Sequence, residues 1–205
     1  DSYLASMKRN PTPPNWFNLE YLSAEDWVEG CHGLLSMHPQ LGLKKMFFFP
    51  GITPKTGGLL KEASLLDERD QFLASINRLA FVHGLGVKPS ANTLIVSLFG
   101  YENTAIASLL DAWIQSPTPV LCLVPASKVL PSINNHLGKT LNLGDEFVQG
   151  GLRLNVIPFL TQTEYDRLLW ACDVNFIRGE DSFVRAQWAG KPFIWHIYPQ
   201  EEDVH

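Results

Sequence analysis

Cysteine is scarce in this sequence, and the few cysteines lie far apart. The 205 residues include three, Cys31, Cys122 and Cys172, and no two of them form a C-x-x-C pair. That absence excludes the usual structural zinc sites and thioredoxin-type redox chemistry. An odd number of separated cysteines, two of them in apolar surroundings, is typical of reduced thiols in a cytoplasmic protein.

Excess positive charge and long apolar runs are missing too. Sixteen basic and 21 acidic residues give a formal net charge of −5, which argues against a broad basic face for nucleic acid. No apolar run approaches the ~20 residues of a membrane span, so we expect a soluble protein with no membrane partner. Charged residues make up 18% of the chain and apolar residues 45%, a balance that excludes disorder and indicates a globular core.

Several motifs of common enzyme classes are also absent. The sequence has no G-x-S-x-G elbow of serine hydrolases and no G-x-G-x-x-G loop of dinucleotide-binding enzymes. Its six histidines show no metal-ligand spacing, and it has no Asp-x-Asp pair to hold a divalent cation. Residues 51–58 contain glycine, lysine and threonine without the G-K-[ST] order of a phosphate loop, and we interpret them as a linker.

The second half of the chain alternates short apolar runs with amphipathic segments. Helices are predicted between the apolar runs, and this alternation is typical of βαβ units. The sequence therefore predicts a doubly wound, Rossmann-like parallel sheet covered by helices on both faces. The predicted strands are residues 93–99, 120–124, 152–157, 174–177 and 193–197, with a weaker one near Leu141. The predicted helices are one capped by Asn103, residues 127–137, one capped by Thr163, and residues 182–189.

The first half has fewer strand signals. Two strands are too few for an independent sheet, so we expect residues 1–58 to be the end of one α/β domain plus a linker. Residues 59–205 would form the Rossmann-like domain, truncated at its C-terminus. The chain begins with Asp1 rather than methionine, and we expect it to be part of a longer protein. The elements predicted here are strands over residues 16–22 and 45–49, a short helix beginning at Ser23, and one helix over residues 67–82.

Ligands of doubly wound sheets bind where the parallel strands end at their carboxyl side. One of the loops expected there, residues 178–182, reads RGEDS and is the most polar of them. It lies at a predicted strand-to-helix turn. A phosphate could bind backbone N–H groups at this turn, and the alternative is an ordinary helix cap. The four candidate loops are residues 100–103, 159–163, 178–182 and 198–203.

Aromatic residues are predicted at the ends of the same strands. Phe99 and Tyr101 follow one strand, and Phe159 and Gln162 follow another. A nucleobase stacks well on such rings, and a side-chain amide can bind the edge of a pyrimidine. Core packing is the alternative for each ring taken singly. The pattern indicates a nucleotide site only because all four residues are expected on one rim.

Three segments of the sequence are long and distinctive. They read NLEYLSAEDWVEGCHG, FFPGITPKTGGLL and CDVNFIRGEDSFVRAQWAGKPFIWHIYPQEEDVH. Together they closely resemble the bacterial protein-arginine rhamnosyltransferases that modify elongation factor P, and the similarity extends over nearly the whole chain. The resemblance implies a two-domain type B glycosyltransferase fold. It also implies dTDP-β-L-rhamnose as the donor, an arginine of elongation factor P as the acceptor, and inversion without a metal cofactor.

The resemblance also implies roles for individual residues. Phe159 and Gln162 would hold the thymine, Phe99 would line the same pocket, and Glu180 would be a catalytic carboxylate at the sugar. The other donor-site residues that it implies, around the pyrophosphate and the sugar, are Tyr101, Arg178, Gly179, Asp181 and Ser182, and Asp181 is a second candidate for the catalytic carboxylate.

One motif of that family is not found in residues 1–205. It is a glycine-rich first loop (DNYGDIG-like) whose aspartate prepares the acceptor arginine, and without it we expect these residues alone to be inactive. Two other functions stay open at this point. One is a nucleotide-sugar epimerase of the same architecture, since a fold does not fix the chemistry. The other is a non-catalytic module that binds a nucleotide.

Overall fold

A computed structural model describes residues 2–12, 15–75 and 77–198. These residues form two compact units. The first ends at Leu60, and the second comprises Lys61–Tyr198.

The first unit contains a small three-stranded sheet. Its middle strand pairs in parallel with one neighbour and antiparallel with the other, in the order β1-β3-β2. Residues 51–58 fold back beside the end of β3, where the N–H of Gly57 donates to the carbonyl of Phe49 at 2.8 Å. The elements are α1 (Ser2–Arg9), β1 (Trp16–Leu19), α2 (Val28–Cys31), β2 (Leu35–Met37) and β3 (Lys44–Phe48).

The expected helix start at Ser23 is wrong. The N–H of Glu25 donates to the Ser23 hydroxyl at 3.2 Å, which closes a local turn instead of a helical one. The first helical residue is Val28. The strand β1 also ends at Leu19, three residues earlier than expected. The strand β2 was not predicted, because three residues are too few to show an alternating pattern.

The second unit contains the large sheet. The strand order is β6-β7-β5-β4-β8-β9, and all neighbours pair in parallel except β6 and β7. The predicted α/β class with a Rossmann-like parallel sheet is therefore confirmed. The strands are β4 (Leu94–Leu98), β5 (Val120–Pro125), β6 (Glu146–Gln149), β7 (Leu152–Ile157), β8 (Val174–Arg178) and β9 (Phe193–His196).

The strand β6 replaces the weak strand expected near Leu141. Leu141 is buried but is not part of a strand, and β6 instead forms a hairpin with β7 through Gly150 and Gly151. Gly150 has a φ of +53°, and a Cβ there would lie 2.1 Å from the carbonyl oxygen of Ile114. Only glycine fits this turn. The strand was missed because it is an edge strand whose residues are mostly exposed.

Helices cover both faces of the large sheet. The helices α3, α4, α7 and α8 enclose one apolar core, and α5 and α6 enclose the other. Along β5, Leu121 and Leu123 belong to the first core while Cys122 and Val124 belong to the second, as the two-residue period of a strand requires. The helices are α3 (Leu65–Leu73), α4 (Asn77–Gly84), α5 (Ala105–Ile114), α6 (Leu130–Leu137), α7 (Gln162–Ala171) and α8 (Gly179–Ala189).

The single helix expected over residues 67–82 is two helices, α3 and α4. Ser75 lies at their junction, where its hydroxyl donates to the carbonyl of Phe72 at 3.2 Å and accepts from the N–H of Asn77 at 3.4 Å. A serine that bonds to nearby backbone in this way competes with the helical hydrogen bonds.

Two helices begin earlier than expected, and both begin beside the candidate site. Thr161, not Thr163, caps α7, in a capping box with Glu164. The helix α8 starts at Gly179, directly after β8, and not at Ser182. Of the loop predicted over residues 178–182, Arg178 therefore ends β8 and the rest forms the first turn of α8.

Candidate functional site

A pocket of about 190 Å³ opens at the carboxyl edge of the large sheet. The chain leaves β4 through α5 towards β5 and leaves β8 through α8 towards β9, so the connections diverge between β4 and β8. Such a switch point is where doubly wound sheets bind their ligands. Five of the predicted site residues line the pocket, Phe99, Phe159, Gln162, Asp181 and Ser182, together with Pro125, Leu160 and Tyr165.

Aromatic rings form one side of this pocket. The Phe99 ring lies 6.1 Å from that of Phe159, which it meets edge to face, and 5.6 Å from that of Tyr165, to which it is tilted. Phe159 is 67% exposed, so most of its ring faces solvent at the rim. An exposed ring next to an apolar pocket is a suitable stacking surface for a flat ligand.

Arg178 lies against the same aromatic group. Its guanidinium carbon is 4.5 Å from the ring centre of Phe99 and 4.7 Å from that of Tyr101, within cation–π distance of both. Its Nε atom is buried, and no atom of the described residues forms a hydrogen bond with it. Gly179 follows with a φ of +72°, and a Cβ there would lie 3.6 Å from the Tyr101 hydroxyl. Tyr101, Arg178 and Gly179 are thus grouped with Phe99, beside the residues that line the pocket.

The first turn of α8 also borders the pocket, through Asp181 and Ser182. Arg178 is the N-cap residue and makes no side-chain capping bond, so the turn that follows offers backbone N–H groups to a ligand. Glu180 and Asp181 lie in this turn, Glu180 half-buried and Asp181 exposed, and Ser182 comes next with 9% exposure. A helix N-terminus of this kind favours an anion.

His196 supports the loop that follows β4. Its Nδ1 accepts a hydrogen bond from the N–H of Tyr101 at 3.3 Å, and the two rings meet edge to face at 5.2 Å. Burial lowers the pKa of His196, and the nearby Arg178 charge lowers it further, so the ring is neutral at pH 7 and can accept this bond. Sequence reasoning treats His196 as an ordinary strand residue.

A buried ion pair joins α7 to α8, the two helices whose first turns meet at the pocket. Arg185 on α8 donates through Nε to Asp166 on α7 at 2.7 Å and forms a second bond to the same carboxylate through Nη2. Its Nη1 donates to Glu62 at 2.6 Å. Burial disfavours the charge on Arg185, but these hydrogen bonds outweigh it and raise the pKa of the guanidinium. Sequence reasoning missed this pair, because residues 19 positions apart show no local pattern.

A second cavity, of about 440 Å³, lies in the same unit away from the strand ends. It is bordered by α3, α4 and α7 and contains none of the predicted site residues. Its lining includes Glu68, Gln71, Phe72, Asn77, Arg167 and Trp170.

In the described parts of the chain, no group of three or more histidine, cysteine, aspartate or glutamate side chains is placed to hold a metal ion. No helix there is long and apolar enough to cross a membrane. The fourth candidate loop, residues 198–203, lies outside the described residues after Tyr198.

Comparison with known proteins gives consistent matches. The sequence model of the family described as "Elongation-Factor P (EF-P) rhamnosyltransferase EarP" matches residues 1–205. A protein-arginine rhamnosyltransferase of Pseudomonas putida is 53% identical over 206 residues, covering 100% of this chain and 54% of the relative. One of Pseudomonas aeruginosa is 47% identical, covering 100% of this chain and 55% of the relative. The chain thus spans about half the length of these relatives.

A solved structure agrees with the sequence matches. It is described as the structural basis for EarP-mediated arginine glycosylation of translation elongation factor EF-P. The TM-score is 0.71 at 50% sequence identity, and the match covers 74% of this chain and 50% of the other.

Proposed function

This chain belongs to the EarP family of elongation factor P (EF-P) rhamnosyltransferases, with the type B glycosyltransferase fold, and we propose that it is the donor-binding part of such an enzyme. The complete enzyme, meaning a protein of the relatives' length that contains this chain, transfers L-rhamnose from dTDP-β-L-rhamnose to an arginine side chain of EF-P and inverts the sugar. This proposal favours transfer over the epimerase and the non-catalytic module, because the relatives that match the whole chain are named as arginine rhamnosyltransferases.

The pocket at the strand ends is the observation that carries the donor assignment. Its volume of about 190 Å³ is below the ~300–1,000 Å³ of sites that enclose a drug-sized ligand, so it accommodates one part of a nucleotide sugar, the base. Thymine stacks on Phe159 beside Phe99, and the Gln162 amide bonds to the edge of the base. The diphosphate then extends to the first turn of α8, where N–H groups and Arg178 attract negative charge.

The nucleophile of this transfer is a guanidinium nitrogen, and a protonated guanidinium is a poor nucleophile. The guanidinium has a pKa above ~12 and is therefore protonated at neutral pH. A carboxylate has to orient it and accept a proton as the nitrogen attacks. Glu180 is the carboxylate proposed for this task, with Asp181 next to it. The arginine nitrogen forms a bond to the anomeric carbon as the bond from that carbon to the diphosphate oxygen breaks on the opposite face, which inverts the sugar. The N–H groups of α8 stabilise the departing dTDP.

The transfer assay tests this function. The complete enzyme is incubated with dTDP-β-L-rhamnose and EF-P, and intact-protein mass spectrometry follows the acceptor. We expect one rhamnose per EF-P, and none on EF-P whose acceptor arginine is replaced by lysine. A changed sugar on the nucleotide with unmodified EF-P would identify an epimerase, and binding without either product would identify a non-catalytic module.

The stacking role of Phe159 gives the first prediction. Phe159→Ala removes a ring that is exposed at the rim, and a base–aromatic stack contributes about 1–3 kcal/mol. We therefore expect the affinity of this chain for dTDP to fall roughly ten- to hundredfold in titration calorimetry. Phe17→Ala is the matched control, because Phe17 is 56% exposed in the first unit and should leave dTDP binding unchanged. Unchanged dTDP affinity in a folded Phe159→Ala variant would show that the base does not stack on Phe159.

The second prediction concerns metals. Helix N–H groups and Arg178 provide the positive field that a divalent cation provides in many nucleotide-diphosphate sites. We therefore expect transfer by the complete enzyme to continue at an undiminished rate in excess EDTA. Loss of transfer on chelation, with recovery on adding magnesium or manganese, would contradict this arrangement.

A further inference from the structure

His196 lies at the end of β9, where both nitrogens of its ring face N–H groups. Its Nδ1 lies 3.3 Å from the backbone nitrogen of Tyr101, and its Nε2 lies 3.4 Å from the side-chain nitrogen of Asn103. The Asn103 amide is oriented by its own oxygen, which accepts a hydrogen bond from the N–H of Ala105 at 2.8 Å. The ring thus lies between two donors, and only a neutral imidazole can accept a hydrogen bond from either of them.

A protonated ring does not fit these surroundings. An imidazolium donates from both nitrogens and accepts at neither, so each of its N–H groups would meet another donor. Arg178, which pairs with His196 in the register of β8 and β9, adds a positive charge nearby. Burial and this charge lower the pKa of His196. The other titratable residues on the segments next to the ring are Tyr101, Glu102, Lys128, Glu180 and Tyr198.

The contacts of His196 determine where Tyr101 lies. The two rings meet edge to face at 5.2 Å, and the hydrogen bond to Nδ1 fixes the backbone of the same residue. The Tyr101 ring also lies 4.7 Å from the guanidinium carbon of Arg178, and its hydroxyl would lie 3.6 Å from a Cβ at Gly179. His196 therefore connects β9 to a tyrosine that lies beside the start of α8, where the proposed function places the diphosphate.

We infer that His196 is a positioning residue of the donor site, which holds Tyr101 in place only while its ring is neutral. The inference rests on the proposed function, since it takes the strand-end pocket and the first turn of α8 as the donor site. Donor affinity should then fall as the pH drops through the pKa of His196, which lies below the ordinary histidine value of about 6.5. A histidine that bound the diphosphate directly would have the opposite effect, because an imidazolium attracts an anion.

Binding of dTDP-β-L-rhamnose to this chain at two pH values tests this inference. The esterified diphosphate of this donor gains no proton between them, so a change in affinity reports on the protein. By titration calorimetry, we expect the affinity to be about three- to tenfold weaker at about pH 5 than at about pH 7.5. His196→Asn should keep most of the affinity and lose this pH dependence, because an amide oxygen can accept from Tyr101 and does not titrate. His83→Asn, at an exposed histidine of α4, is the matched control and should keep the pH dependence.

An NMR titration of the ligand-free, isotope-labelled chain follows the ring and the loop directly. The ring resonances of His196 and the amide resonance of Tyr101 should shift with the same midpoint as the pH falls. In His196→Asn, the Tyr101 amide should not shift over this range. A Tyr101 amide that does not follow the ring in the original chain overturns the inference, and this measurement does not depend on a variant that folds.

The binding outcomes separate the two proposals. A donor affinity that does not change with pH, that rises on acidification, or that falls equally in His196→Asn overturns this inference and leaves the donor assignment standing. If the original chain binds no donor at either pH, the donor assignment fails and this inference fails with it.

Discussion

Glu180→Gln in the complete enzyme is expected to lower kcat by about 100-fold or more and to leave dTDP binding nearly unchanged. The substitution keeps the size of the side chain and removes its charge. Glu180 lies in the first turn of α8 and is absent from the lining of the base pocket, so the donor can still bind without it. In the proposed mechanism its carboxylate acts when the guanidinium is oriented and loses its proton, which is a contribution to the transition state.

Single-turnover transfer to EF-P, with dTDP affinity measured separately, checks this prediction. Glu102→Gln is the control, because Glu102 is an exposed carboxylate in the loop after β4, and its loss should leave the rate unchanged. Normal turnover in Glu180→Gln would contradict the assignment and move the role to Asp181 or to a residue outside this chain. Weakened dTDP binding with a normal rate would make Glu180 a binding residue.

Asp166→Ala is expected to destabilise the second unit by about 3–5 kcal/mol, the usual cost of removing one partner from a buried ion pair. Asp166 is 4% exposed and Arg185 9% exposed, so the remaining guanidinium would be buried with only Glu62 as its partner. The pair also joins α7 to α8, whose first turns border the pocket, so dTDP affinity should fall along with stability.

Urea unfolding followed by circular dichroism measures this effect. Asp70→Asn is the matched control, since the Asp70 side chain of the Arg69–Asp70 ion pair is largely exposed. Such exposed pairs contribute at most about 1 kcal/mol to stability. A loss of less than about 1 kcal/mol in Asp166→Ala would show that the buried pair does not stabilise this unit. Asp166→Leu combined with Arg185→Met should recover much of the loss, because an apolar pair leaves no buried charge.

The large sheet could be predicted from the sequence because its strands are buried on both faces. Such strands read as continuous apolar runs, as in LIVSL of β4 and VLCLVP of β5, and the helices between them keep a clear 3.6-residue period. The edge strand β6 lacks this signal, since three of its four residues are exposed. The small sheet of the first unit was predicted only in part, because short, half-exposed strands show neither pattern.

The candidate site was predicted in outline for a topological reason. Parallel strands end at one edge, so residues that follow different strands, such as Phe99, Phe159 and Ser182, are brought to one pocket. The individual roles came from the resemblance to a family and not from this topology. Helix starts were less well predicted, although the T-x-x-E pattern at Thr161 was available to locate α7 correctly.

The residues that were missed depend on contacts between distant parts of the chain. Tyr165 fits the apolar face of α7 in sequence, and only the structure shows that this residue lines the pocket. Asp166 and Arg185 look like ordinary charged residues of amphipathic helices until the two helices are packed together. His196 likewise becomes part of the site only because β9 lies next to β8 and its ring meets Tyr101.

Binding of the donor nucleotide at the carboxyl edge of the large sheet is tested most directly by an NMR titration of the isotope-labelled chain with dTDP. The largest amide shifts should fall on residues 179–182 in the first turn of α8 and on residues 159–162 before and within α7. The chemical shifts of the amides around the second cavity, at Phe72, Arg167 and Trp170, should not change. Shifts confined to that second cavity, or no shifts at saturating dTDP, would contradict the donor site.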